Sequence, residues 1–182
     1  MHDSTGERDG LRHRVLDTLR DVQDFPKPGI GFKDITPVLA DAALLRDIIA
    51  AMAAPYTGMG ITHVAGIESR GFILASPIAI ALGAGFIPIR KPGKLPWRTV
   101  GKEFALEYGT DRLEIHADAC PAPVRVLLVD DVLATGGTAT AACELIEEVG
   151  GTVGGCAFLL AIDALRGAIR LDRFSVECIV NI

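Results

Sequence analysis

An apolar run that stops at two adjacent carboxylates limits what this chain can fold into more than any other feature. Val126-Leu-Leu-Val129 is short, branched and without polar residues, so it reads as a parallel strand buried on both faces. Asp130 and Asp131 end the run, Ala134-Thr-Gly-Gly-Thr138 follows, and Ala139–Val149 takes up helical spacing. A buried strand that turns through glycines into a helix is half of a βαβ unit, which points to an α/β sheet.

The turn has its own chemistry. Gly136 and Gly137 let the backbone bend tightly and present N–H groups to an anion at the positive end of the helix, and Thr135 and Thr138 add hydroxyl donors. Ala134–Thr138 is therefore a candidate phosphate cradle. It lacks the lysine of a GxxxxGK[ST] loop and the spacing of a dinucleotide GxGxxG. Asp130 and Asp131 beside it offer paired acceptors, which suit the vicinal hydroxyls of a ribose. Together they point to a ribose 5-phosphate ligand.

The rest of the chain repeats the alternation. Strand-like runs at Thr62–Ile67, Phe86–Ile89, Val124–Val129 and Gly155–Ile162 interleave with helical segments at about Asp41–Ala54, Phe72–Leu82 and Gly137–Val149, with a final strand at Ser175–Ile179. The expected fold is α/β, a parallel sheet with helices on both faces. Ligands of such sheets sit at the carboxyl ends of the strands, which puts Glu68–Gly71, Arg90-Lys91 and Asp130–Thr138 on one rim. Two stretches break the pattern: Asp24–Pro37, rich in Pro and Gly, and the long insertion Lys91–Thr110. Short alternating runs at Phe104–Tyr108 and Arg112–His116 make the insertion an antiparallel ribbon able to fold over the rim. Met1–Gly10 is polar and reads as frayed. With no linker or repeat, the 182 residues read as a single domain.

Composition excludes several classes. A net charge of −5 leaves no basic excess for nucleic acid. Gly71–Ile89 is uncharged and long enough to suggest a membrane span, but Pro77, Gly83, Gly85 and Pro88 break it into a buried helix and a buried strand, so no membrane contact is expected. The N-terminal stretch is charged and shows no secretory signal, so the expected location is cytoplasmic. Cys120, Cys143, Cys156 and Cys178 are scattered with no CxxC spacing and, with no sign of secretion, read as reduced thiols, and His2, His13, His63 and His116 have no ligand spacing. On the rim itself, Ile67-Glu-Ser-Arg-Gly-Phe72 offers backbone donors, a hydroxyl and the charged fork of Arg70, a set that suits a pyrophosphate.

The Val126–Thr138 run resembles the signature for 5-phosphoribosyl-1-pyrophosphate (PRPP) in the type I phosphoribosyltransferases. Asp24–Leu39, Gly66–Phe72, Arg90-Lys-Pro-Gly-Lys-Leu-Pro96 and Leu106-Glu-Tyr-Gly109, in that order, look like the adenine phosphoribosyltransferases. One departure is Ile73-Leu-Ala-Ser76, where relatives usually have a glycine near Ala75, so helix packing is expected to differ there without loss of activity. The resemblance implies an N-terminal hood at about 20–40, a mobile ribbon lid at about 91–110, a homodimer, and transfer of the phosphoribosyl group from PRPP to N9 of adenine with Mg²⁺, the ion held mainly by PRPP rather than by protein side chains. It assigns Glu68, Ser69, Arg70 and Lys91 to the pyrophosphate end, with a cis peptide at Glu68–Ser69. Asp130 and Asp131 go to the ribose, and Ala134, Thr135, Gly136, Gly137 and Thr138 to the 5-phosphate. Gly31, Phe32 and Lys33 go to adenine, Phe32 by stacking and the other two through backbone groups. Glu107 is implied as the acid/base residue, and Arg70 as its partner in catalysis.

Two other readings keep the PRPP site. One is a regulator that has lost catalysis, against which stand the acidic composition and the presence of Arg70 and Glu107. The other is an enzyme for an oxopurine, against which the hood residues argue by resemblance alone.

Overall fold

The computed structural model describes residues 4–25, 27–29, 31–105, 109–121 and 123–182, which group into a unit ending at Ala51 and a unit beginning at Met52. The first unit opens with helix α1 (Ser4–Thr18), where a frayed polar end is expected from sequence. Leu11 and Val15 account for the difference: four residues apart, they share one helix face and are buried. Arg14 Nη1 also pairs with Asp47 Oδ2 at 2.7 Å. The polar first turns extend a helix that this apolar pair anchors.

The Pro- and Gly-rich stretch after α1 is also ordered into elements. An antiparallel pair, β1 (Arg20–Val22) and β2 (Phe32–Asp34), leads into α2 (Thr36–Ala40) and α3 (Ala42–Ala53). Pro37 stands in the first turn of α2, where a missing N–H breaks no helical bond. Asp41 caps α3, its Oδ1 accepting the N–H groups of Ala43 and Leu44 at 2.9 Å each.

The second unit is built on β3 (His63–Ile67), α4 (Arg70–Leu82), β4 (Gly85–Ile89), the ribbon β5 (Thr99–Ala105) and β6 (Thr110–His116), β7 (Arg125–Leu133), α5 (Gly137–Glu148), β8 (Thr152–Ala161) and β9 (Val176–Asn181). Five strands pair in parallel in the order β4-β3-β7-β8-β9. The chain thus runs outward from β3 to β4, returns across β3, and continues outward the other way from β7. Right-handed crossovers in opposite directions put α4 and α5 on opposite faces of the sheet. They also create a switch point between β3 and β7, where α/β sheets bind ligands.

Packing follows from the residues at each crossover. Val126 and Leu128 join a buried cluster with Ala139, Ala142, Cys143, Leu145 and Ile146 of α5. On the other helix, a Cβ on Gly66 would fall 2.8 Å from the Cβ of Ala75, so α4 lies close on β3 because one partner has no side chain. Ala75, the departure noted from sequence, is accommodated at this contact. Pro77 lies inside α4, and Gly83 ends it in the left-handed conformation (φ 64°). Among the described residues no helix is long and apolar enough to cross a membrane.

The ribbon is antiparallel and β5 begins at Thr99, ahead of the expected run at Phe104–Tyr108, of which Leu106–Tyr108 lie outside the described residues. Its root belongs to the core: Leu113 and Ile115 are fully buried, and Lys102 Nζ meets Glu144 of α5 at 2.8 Å. Backbone bonds between Arg90 and Glu114 (2.9 and 2.8 Å) tie it to the end of β4.

Candidate functional site

β3 leads into α4 through a cis peptide between Glu68 and Ser69. The Glu68 carboxylate gathers the basic segment that follows β4: Oε2 accepts from Arg90 Nε at 3.2 Å and from the Lys91 N–H at 3.1 Å, and Oε1 from Lys94 Nζ at 3.1 Å. Burial would raise this carboxyl, but the donors from Arg90, Lys91 and Lys94 outweigh it and hold it below the usual range. Gly93 N–H donates to Glu114 Oε2 at 3.0 Å, so the Arg90–Lys94 turn is held from the β3 side and from the ribbon. Lys91 Nζ itself donates to Asp111 Oδ2 on β6.

The aspartate pair stands inside β7 rather than at its end, because the strand runs on to Leu133. Pairing with β3 stops at Gly66 opposite Val129, while pairing with β8 continues to Leu133 opposite Ala161. The two carboxylates therefore begin where one neighbour has turned away, which opens the switch-point crevice beside them. Asp131 is only 4% exposed and accepts from Arg70 Nε in the first turn of α4. Asp130 Oδ1 accepts the Asp131 N–H at 2.9 Å. A Cβ on Gly71 would lie 2.7 Å from that same Oδ1, so glycine is what lets α4 start here. Part of Asp130 reaches solvent while its carboxylate is ringed by protein. That desolvation, followed by the charge of Asp131, raises Asp130 well above the ordinary carboxyl value.

The loop Ala134–Gly136 turns into α5, with Gly136 in the left-handed conformation (φ 80°) and no side chain capping the helix. The first amides of α5 have no intrahelical acceptor, as an anion site requires. Thr140 Oγ1 donates to Gly136 O at 2.9 Å from one turn further on. Gly136 and the loop before it rest on Gly167, whose own Cβ would fall 2.2 Å from Ala134 O.

The structure thus brings Glu68, Ser69, Arg70, Lys91, Asp130, Asp131 and the 134–138 loop to the carboxyl ends of β3, β4 and β7. Glu107 lies outside the described residues. Gly31, Phe32 and Lys33 belong to the first unit, at the start of β2. The Phe32 ring meets Phe25 edge-on with centroids 5.1 Å apart, and Lys33 Nζ pairs with Asp21.

Sequence reading missed three supporting residues. Glu114 and Asp111 are spaced like solvated residues of a ribbon, and nothing local shows that they face the Arg90–Lys94 turn. Gly167 meets a main-chain carbonyl far away in sequence, and a lone glycine in a short connection carries no such mark. His63 and His116 line one small cleft at the opposite end of the sheet. Among the described residues no three His, Cys, Asp or Glu side chains cluster to hold a metal ion.

Residues 38–181 match the phosphoribosyl transferase domain family. The chain is similar to the adenine phosphoribosyltransferase of Myxococcus xanthus (strain DK1622), 57% identical over 163 residues that cover 90% of this chain and 89% of the relative. The crystal structure of adenine phosphoribosyltransferase from Rhodothermus marinus DSM 4252 superposes with a TM-score of 0.91 at 48% identity, covering 96% of this chain and 99% of the other. That of the Saccharomyces cerevisiae enzyme, complexed with D-2,5-dideoxy-2,5-imino-altritol 1,6-bisphosphate and adenine, gives 0.87 at 34% identity, covering 94% and 99%.

Proposed function

The chain belongs to the phosphoribosyltransferase family, among the adenine phosphoribosyltransferases, and from that premise we propose how its residues divide the work. The reaction transfers the 5-phosphoribosyl group of PRPP to N9 of adenine and releases AMP and pyrophosphate, a salvage of the free purine. The bond from C1 of the ribose to the pyrophosphate oxygen breaks as the bond to N9 forms. Positive charge gathers on the sugar and negative charge on the leaving group.

We assign the 5-phosphate to the Ala134–Thr138 loop, where uncapped amides at the start of α5 meet the hydroxyls of Thr135 and Thr138. Asp130 and Asp131 take the ribose hydroxyls, which holds C1 in place while its bonds exchange. Arg70 and Lys91 face the leaving pyrophosphate and neutralise it as it departs. The observation that carries this reading is the link from Arg70 to the buried Asp131, which joins the pyrophosphate turn to the ribose pair. Glu68 acts by holding Arg90, Lys91 and Lys94 in place. Mg²⁺ would be held mainly by the oxygens of PRPP, and the carboxylates of Asp130 and Asp131 are of the hard oxygen type that could accept from its waters. When bound, the ion supplies further neutralisation of the leaving group.

Adenine recognition falls to Gly31, Phe32 and Lys33, through a stacked ring and main-chain groups that an oxopurine would leave unpaired. Glu107 takes up the proton lost from the purine imidazole. The role of a lid over the rim goes to the 91–110 segment, which leads into a ribbon root buried at Leu113 and Ile115. α4 is apolar on two sides: Leu74, Ala75, Ile78 and Ala79 are buried, while Ile73 and Ile80 are exposed at 45% and 82%. A helix apolar all round calls for a covering surface, and we assign that to a second copy in a homodimer. The cysteines are unpaired thiols, the state that a reducing cytoplasm maintains.

Pyrophosphate release is measured with PRPP, Mg²⁺ and adenine, hypoxanthine, guanine or xanthine in turn. Release with adenine alone is expected. Release with an oxopurine would remove the assignment of the hood residues.

A further inference from the structure

We propose that Asp111 is a positioning residue for the leaving-group end of the site: it holds the Lys91 ammonium as an internal counter-anion that an incoming pyrophosphate must displace. The inference rests on the assignment of Lys91 to the pyrophosphate. Lys91 stands two residues beyond the end of β4, with its N–H fixed by Glu68 Oε2 at 3.1 Å. From there its Nζ donates to Asp111 Oδ2. Asp111 is fixed in turn, since its Oδ1 accepts the Arg112 N–H at 2.8 Å. The ribbon beneath is locked by the buried Leu113 and Ile115 and by the backbone bonds between Arg90 and Glu114. Two anchored backbones therefore set this pair.

The consequence is a competition. With side chains 41% and 25% exposed, Lys91 and Asp111 form a partly desolvated pair on the rim. The ammonium stands where an anion would use it, but its charge is already answered. A ligand with two adjacent phosphates can outbid one carboxylate, whereas a weaker anion cannot. Asp111 thus lowers the affinity for pyrophosphate, the product that must leave, while keeping Lys91 pointed at the rim between turnovers.

The test compares binding of magnesium pyrophosphate and of AMP to the full chain. Asp111→Asn removes the charge and keeps the shape. It is expected to tighten pyrophosphate about two- to fivefold, the range of a partly exposed ion pair. AMP lacks the pyrophosphate group, so its affinity should not move, which also shows that the variant is folded. Asp111→Glu, which keeps the charge, should stay near the wild type. In a Lys91→Met background, Asp111→Asn should no longer tighten pyrophosphate, because its effect passes through the lysine. If Lys91→Met weakens pyrophosphate binding but Asp111→Asn leaves it unchanged or weakens it, the counter-anion role is wrong and the Lys91 assignment stands. If Lys91→Met leaves pyrophosphate binding unchanged, both fall.

Discussion

Gly136 and Gly167 meet main chain to main chain: a Cβ on Gly136 would lie 2.4 Å from Gly167 O, and a Cβ on Gly167 would lie 2.9 Å from Gly136 N. The Ala134–Gly136 loop, to which we assign the 5-phosphate, is therefore backed by the main chain at Gly167. Gly167→Ala should push Ala134 and Gly136 upward, since its methyl would also fall 2.2 Å from Ala134 O. Overpacking of this kind costs about 1–3 kcal/mol. The expected outcome is a lower melting temperature with AMP affinity reduced at least about tenfold, from donors moved off the phosphate. Titration with AMP checks it, and an unchanged affinity would mean that Gly167 does not set the loop.

Arg70 links stability to chemistry because its partner Asp131 is almost fully buried. Arg70→Met should lower kcat/KM for PRPP by roughly 100-fold or more, the scale of losing one charged group at a developing anion. It should also destabilise the fold by leaving Asp131 unanswered. The effect falls short of that for a fully buried pair, because the Arg70 side chain is 43% exposed. Adding Asp131→Asn should restore the melting temperature and not the activity. Recovery of both would show that Arg70 acts on the fold alone.

The parallel sheet was legible from the sequence because its central strands carry short apolar runs, such as Val64-Ala-Gly-Ile67, Val126–Val129 and Cys156–Ala161, alternating with helical segments. Val126–Val129 is the clearest case, although β7 runs four residues further, through Asp130 and Asp131. Its end was hidden because pairing with β8 carries the strand past the carboxylates, and pairing is non-local. Helix α1 was hidden for the same reason: Leu11 and Val15 are a weak signal in a polar stretch until their burial is known. The site followed a similar division. Residues with their own chemistry near the carboxyl ends of the strands, such as Arg70, Asp131 and Lys91, could be picked out as candidates from type and order, and the structure brings them to one rim. The residues that hold them, such as Glu114, Asp111 and Gly167, act through contacts from other elements and carry no local mark.

Asp130 should trade stability against function. Burial and the charge of Asp131 raise its pKa in the folded protein above the unfolded value. The folded state therefore binds a proton more readily than the unfolded chain, so the stability from this group is complete at low pH and is lost as pH rises through the folded pKa. Asp130→Asn removes that loss. The variant should melt higher than the wild type at pH 8, with the difference shrinking as pH falls toward 4, while PRPP binding weakens. Melting curves across that range check the sign, and a gap that widens toward acid would contradict it.

Ile80 carries the test of assembly. It is 82% exposed on the side of α4 away from Leu74 and Ile78, and it shares the exposed side with Ile73. If a second copy covers this helix, the wild-type chain should show twice its 19.2 kDa mass in solution. Burying about 800 Å² per partner is what a stable pair needs, and an apolar helix face is a natural centre for it. Ile80→Asp places a charge at that centre, where desolvation without a partner is costly, and leaves the isolated fold nearly untouched because the position is exposed. Light scattering after gel filtration should then report a monomer, with secondary structure unchanged by circular dichroism. A wild type already at monomer mass would end the homodimer assignment, and an Ile80→Asp variant that stays dimeric would move the interface off α4.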